Sequence, residues 1–152
     1  LATYIATVDG NFQRQLASAL SYTKSEATLT RLLKEWKNKD VVKPQDLAMS
    51  WYLTFLQHDF TQGTIWTWAR ENWDWIKAAL GGDMSFDKFV IYPASTFKTH
   101  ERLAEYKAFF EPQLSDLAIS RNISMGIKEI SARIDLIDKE KAAVEAAIKA
   151  TV

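Results

Sequence analysis

The sequence contains no cysteine among its 152 residues. That removes disulfide scaffolds, thiolate zinc sites, iron-sulfur clusters and cysteine nucleophiles together, and it suits a reducing compartment, so a cytoplasmic location is expected. Charge of one sign is also missing: lysine plus arginine and aspartate plus glutamate number 19 each. No long-range field exists to draw in nucleic acid or an anionic membrane, and neither is expected as a partner. No apolar run approaches the roughly 18 residues that a membrane-spanning helix needs, and Leu1-Ala2-Thr3-Tyr4 lacks the basic segment and apolar block of a secretory signal. Histidine is reduced to His58 and His100, a thin supply for metal binding or imidazole catalysis.

Glycine and proline are scarce as well, at 5 and 3, and they fall between stretches whose apolar residues recur at helical rather than alternating spacing. An all-α fold is expected. Hydrophobic residues make up 47% of the chain, enough for a continuous core in one domain covering residues 1–152. The chain starts without methionine and in mid-pattern, as a domain excised from a longer multidomain protein would.

A first helix is expected over Phe12 to Leu20. A second follows Ser25 as N-cap, with Leu29, Leu32, Leu33 and Trp36 on one face. Pro44 suits the first turn of a third, which carries Leu47, Trp51, Phe55 and Leu56 inward before Asp59 and Gly63 interrupt the pattern. The strongest signal spans Thr64 to Leu80. At about 100 degrees per residue, Ile65, Trp66, Trp68, Ala69, Trp73, Trp75, Ile76, Ala79 and Leu80 cover half the circumference, which predicts packing on two sides. Gly81-Gly82 provides the C-cap.

A short element from Phe86 to Tyr92 is expected to stop at Pro93, and Thr99 to cap a helix running to Phe110. In the last, long helix, Ile119, Ile123, Ile127, Ile130, Ile134 and Ile137 form one apolar ridge. Leu114, Leu117, Ala118, Met125, Ala132 and Leu136 form a second, broken one, which predicts burial on both faces. Short helices with such faces suggest an α-solenoid-like array of antiparallel pairs, of the HEAT or armadillo kind.

Chemistry-bearing motifs are few. His100-Glu101-Arg102-Leu103-Ala104 begins like the zinc motif H-E-x-x-H, in which two histidines one turn apart hold the metal while the glutamate activates water. Ala104 stands where the second imidazole is required, so no metal site is expected. Glu-x-x-His pairs, a G-x-S-x-G elbow, a P-loop and a dinucleotide fingerprint are all missing, and no catalytic residue is assigned. All six tryptophans lie between residues 36 and 75. With no basic cluster interleaved, core packing is expected of them rather than base or peptide stacking. Arg121 is the exception to the pattern: it lies on the second ridge of the last helix, level with Leu117, Ala118 and Met125, where an apolar residue belongs. A guanidinium there calls for an internal salt bridge or for a ligand anion.

Taken in order, Leu29 to Trp36, Val41-Val42-Lys43-Pro44-Gln45-Asp46-Leu47, and Trp66-Thr67-Trp68-Ala69-Arg70-Glu71-Asn72-Trp73 resemble the C-terminal helical domain of aminopeptidase N-family zinc metallopeptidases. So do Gly81 to Phe89, Phe97-Lys98-Thr99, Phe109-Phe110-Glu111-Pro112 and Arg121-Asn122-Ile123-Ser124-Met125-Gly126, in the Gram-positive bacterial form. The resemblance implies a parent enzyme that removes N-terminal residues from peptides, with zinc and catalytic glutamate in a separate domain that has no matching positions here. It implies a noncatalytic role for this chain, capping the active-site cavity and restricting access. The parent's catalytic domain and peptide substrate would be its partners, and Arg121 the candidate for holding a peptide carboxylate. The competing expectation is a freestanding helical-repeat scaffold that binds a protein partner.

Overall fold

The computed structural model describes residues 1–151, with side chains described for residues 1–150. All regular structure among them is helical: α1 (Ala2–Ala6), α2 (Gly10–Ser21), α3 (Glu26–Glu35), α4 (Pro44–Asp46), a π-wound segment (Leu47–Tyr52), α5 (Leu53–Leu56), α6 (Asp59–Glu71), α7 (Trp73–Leu80), α8 (Lys88–Thr96), α9 (His100–Phe110), a 3-10 turn (Glu111–Gln113) and α10 (Ser120–Thr151). The chain forms two compact units, residues 1–93 and 94–152.

Local chemistry sets most helix starts. The Asp9 carboxylate accepts from the amides of Asn11 at 2.8 Å and Phe12 at 3.3 Å, which starts α2 two residues ahead of its first apolar position. Ser25 caps α3 through the Thr28 amide, and Pro44 opens α4, both as the sequence predicts. Between α4 and α5 the backbone winds wider, so that the Leu53 amide bonds to the Ala48 carbonyl. The Thr54 hydroxyl covers carbonyls in this stretch, donating to those of Ser50 and Trp51 at 2.5 and 2.9 Å.

Three sequence-based expectations are corrected. The helix opened by Pro44 does end before Asp59, at Leu56, but Gly63 interrupts nothing: α6 begins at Asp59 and runs through it. The Thr61 hydroxyl anchors this start to the Phe55 carbonyl at 2.5 Å. The Thr64 to Leu80 stretch is not one helix either, because Asn72 leaves helical geometry at φ −110°, ψ 18° and separates α6 from α7. Its side-chain amide donates to the Trp68 carbonyl at 2.7 Å, in competition with the regular ladder. Third, Pro93 lies inside α8 rather than ending it. Loss of its amide costs about 3 kcal/mol in an isolated helix, but Phe89, Val90, Tyr92 and Ala94 are all buried, and their packing outweighs that cost. Gly81 does follow the last residue of α7, but in ordinary right-handed conformation, so no left-handed cap is formed.

The core of the first unit is aromatic. The Trp36 ring lies edge-on to Trp51, Phe55 and Trp68 at centroid distances of 6.2, 5.5 and 5.0 Å. The Trp51 indole donates to the Tyr4 hydroxyl at 3.2 Å, and Tyr52 stacks on Phe89. Five of the six tryptophans are buried, and Trp75 is half-buried beneath Lys37. Core packing is thus their role, as expected.

In the second unit α9 and α10 run antiparallel. His100, at the start of α9, reaches Asp138, whereas Tyr106, further along α9, lies against Gly126. Phe97, Tyr106, Phe110, Ile119, Ile123, Ile130 and Ile134 fill the space between. Gly126 costs helix propensity, about 1 kcal/mol against alanine, yet a methyl group here would collide with the Tyr106 hydroxyl and the Ala94 side chain. Glycine is what lets the buried phenol approach the α10 backbone.

Burial raises the Tyr106 phenol well above the ordinary range, and the Glu129 charge adds to it. Burial likewise raises Tyr92, with help from Asp87. For Tyr4, burial outweighs the opposing hydrogen bond from Trp51, and Asp46 raises it further. In each case the fold favours the neutral phenol. Unfolded tyrosine ionises near pH 10, so this stabilisation is complete below that pH and is lost as pH climbs from there through the folded-state values. Spectrophotometric titration should show Tyr106 ionising only together with alkaline unfolding, and the urea midpoint should fall steadily above about pH 10. Early ionisation of Tyr106 with the fold intact would contradict this.

Candidate functional site

Arg121 occupies the first turn of α10. Immediately before it, the Asp116 carboxylate accepts from the Ala118 amide at 3.1 Å, and the Asp116 carbonyl accepts from the amides of Ile119 and Ser120. Ile119 and Ile123 turn into the core and fix the rotation of the helix. That rotation leaves Arg121, Ser124 and Met125 on the outside.

The expected burial on both faces of the last helix is corrected here. Only the isoleucine ridge is buried, and of its members Ile137 is exposed. Leu114, Leu117, Ala118, Met125, Ala132 and Leu136 are all exposed, because no element of the described chain covers that side. Leu114, Leu117 and Ala118 precede α10, which begins at Ser120, so they do not form a helical ridge with Arg121; the exposed apolar neighbour one turn along the helix is Met125, at 56% exposure. Arg121 has no ion-pair or hydrogen-bond partner among the described residues. An internal salt bridge does not account for it. Nor does helix stability, since a cation in the first turn opposes the helix dipole by about 0.3–1 kcal/mol. An anion bound there would satisfy both.

The near-miss zinc motif resolves into surface chemistry. The His100 Nε2 lies 3.1 Å from Asp138 Oδ2, and both side chains are largely exposed. Glu101 and Ala104 also face outward. Among the described residues no group of three histidine, cysteine, aspartate or glutamate side chains is placed to hold a metal. His100 and Arg121 do not form one site: Asp138, which holds His100, lies 17 residues along α10 from Arg121, about 25 Å of helix. His58 is bound to the Ser21 hydroxyl at 3.0 Å and lies under the Tyr22 ring.

Arg133 is the residue that sequence reasoning missed. Its Nη1 donates to the carbonyls of Ala94 at 2.8 Å and Phe97 at 2.6 Å, at the end of α8, while Nη2 donates to Glu129 at 2.7 Å. The Glu129–Arg133 spacing of four was a readable signal for the ion pair. The carbonyls, 36 and 39 residues away, left none.

The family model of the ERAP1-like C-terminal domain matches residues 1–132. Aminopeptidase N of Lactococcus lactis subsp. lactis is 63% identical over 96% of this chain, which corresponds to 17% of that relative. Aminopeptidase N of Lactobacillus helveticus is 42% identical over 95% of the chain and 17% of its own length. That of Lactobacillus delbrueckii subsp. lactis is 38% identical over 99% of the chain and 18% of its own length. The chain thus spans about a sixth of the relatives it matches. With its all-helical architecture and a family match covering most of its residues, the chain belongs to the ERAP1-like C-terminal domain family, in the form carried by aminopeptidase N.

Proposed function

We propose that this chain is the noncatalytic C-terminal part of a zinc aminopeptidase that removes N-terminal residues from peptides, and that it caps the active-site cavity and limits access to it. The 63% identity to an aminopeptidase N across nearly the whole chain supports the parent activity. A solenoid-like curvature and a cytoplasmic site of action belong to the same reading. Zinc does not fit the residues present, since His100 has one carboxylate and no second imidazole within reach. Its ligands belong to the rest of the parent, and the role of this chain is to receive and position substrate.

The observation that carries the positioning role is Arg121, an exposed cation in the first turn of α10 with no partner among the described residues. It binds the carboxylate of a short peptide while the peptide's N-terminus is at the metal, and the exposed Met125 one turn along takes an apolar side chain. A charge-assisted hydrogen bond of this kind is worth about 1.5–3 kcal/mol. In the full-length enzyme Arg121→Ala should therefore raise KM for short free-acid peptides by about tenfold or more, with kcat little changed. KM for an aminoacyl amide, which has no carboxylate, should stay constant. Equal effects on both substrates would remove the carboxylate-binding role.

A further inference from the structure

A polar cleft of about 400 Å³ lies in the first unit, between the α1–α2 corner and the chain from Lys43 to Ser50. Its floor holds two buried hydroxyls: Tyr4 is 3% exposed and Ser50 9%. The Tyr4 oxygen accepts from the Trp51 indole, and its own proton is donated to nothing among the described residues. The Ser50 hydroxyl has no partner among them either, although the Ser50 carbonyl accepts from Thr54. Such donors, set deep in a polar cleft, favour a ligand that offers them acceptors in place of water.

The walls carry charge of both signs. Asp9 is already committed: its carboxylate caps α2 through the amides of Asn11 and Phe12, so the start of that helix is closed to an anion. Arg14 donates to the Asn11 side chain and keeps most of its five donors free. Lys43 and Asp46 bound a single turn, in which the Asp46 amide donates to the Lys43 carbonyl at 2.9 Å. Neither side chain has an ion-pair partner among the described residues, not even the other.

We propose that this cleft binds one free α-amino acid as its zwitterion. The ligand carboxylate takes the Lys43 ammonium, with Arg14 and the two floor hydroxyls as further donors, and the ligand ammonium takes the Asp46 carboxylate. A cation and a carboxylate three residues apart have their β-carbons about 5–6 Å from each other, so together they grip a ligand whose opposite charges sit on neighbouring groups. A simple anion would face the Asp46 charge, and a simple cation would face those of Lys43 and Arg14. The lining is mostly polar, which favours small or polar side chains over apolar ones. An amino acid is also what the proposed parent reaction releases, but the site rests on the cleft alone and its test reads no turnover.

Gln45 is exposed on the cleft wall, and the chain has no cysteine. In the full-length enzyme Gln45→Cys therefore places a thiol at the site, and peptide mass mapping reads its labelling by a maleimide. L-Serine should slow that labelling saturably, by at least about threefold, as the free fraction of the cleft falls. Acetate and ethylamine, which carry one of the two charges each, should not do so at the same concentration, and in denaturant serine should change nothing. Adding Asp46→Asn or Lys43→Gln should abolish the protection while leaving the rate without serine as it was. Absence of protection overturns the proposal, as does equal protection by acetate, which makes the cleft an anion site. A thiol that is unreactive in the native enzyme even without serine overturns it too, because the rest of the parent then fills the cleft. Failure of the Arg121→Ala prediction leaves each of these readings unchanged.

Discussion

Trp36→Ala is expected to cost about 3–5 kcal/mol of stability, the range for removing a fully buried large aromatic. Trp36 is 1% exposed and is the ring that Trp51, Phe55 and Trp68 share. Removing it deletes three edge contacts at once, each worth about 0.5–1.5 kcal/mol beyond burial, and leaves a hole bounded by rigid rings that cannot collapse into it. Domains of this size have about 5–15 kcal/mol in total, so a large share of the stability rests on one side chain. Trp75→Ala is the comparison. That ring is half-buried, with one edge contact to Trp68 and Lys37 above it at 5.6 Å, and its loss should cost nearer 1 kcal/mol. Urea midpoints of the two variants, with near-ultraviolet circular dichroism to follow the packed indoles, decide the matter. Equal losses would mean that the tryptophan cluster is not the organising core of the first unit.

The tryptophans show what was legible in the sequence. Their spacing placed all six on inward faces; Trp36, Trp51, Trp66, Trp68 and Trp73 are buried, and Trp75 is half-buried. Ser25 and Pro44 announced helix starts because capping and fixed φ act within a few residues. The failures have the opposite character. Pro93 remains helical, and Gly63 passes unnoticed within α6, because tertiary packing overrides local propensity. Asn72 divides a helix through a side-chain bond that periodicity does not register.

The candidate site divides the same way. That Arg121 is an anomaly on an apolar ridge was readable from spacing alone, but whether the ridge is covered was not. Burial depends on how far neighbouring helices extend, and that is set by contacts distant in sequence. Met125, Ala132 and Leu136 on α10 accordingly proved exposed, and the anomaly changed from a buried charge needing a partner into an exposed one able to take a ligand.

Arg133→Met should destabilise the second unit by about 2–3 kcal/mol, more than its single visible ion pair suggests. The Glu129 pair is half in solvent and worth under about 1 kcal/mol. The larger part comes from the carbonyls of Ala94 and Phe97, which receive one guanidinium nitrogen at 2.8 and 2.6 Å at the end of α8. These carbonyls lie at the C-terminal end of α8, where the helix dipole is negative, and hydrogen bonds from a charged donor are worth about 1.5–3 kcal/mol. Methionine keeps most of the apolar stem, so the loss measures the head group rather than packing. Glu129→Gln separates the contributions: it should cost under about 1 kcal/mol and lose most of that effect in high salt, whereas the Arg133→Met penalty should largely persist. If the two variants are equally mild, the carbonyl contacts contribute nothing and α8 is held by its buried side chains alone. Lysine at 133 should recover only part of the loss, because one ammonium cannot reproduce a fork that serves two carbonyls and a carboxylate together.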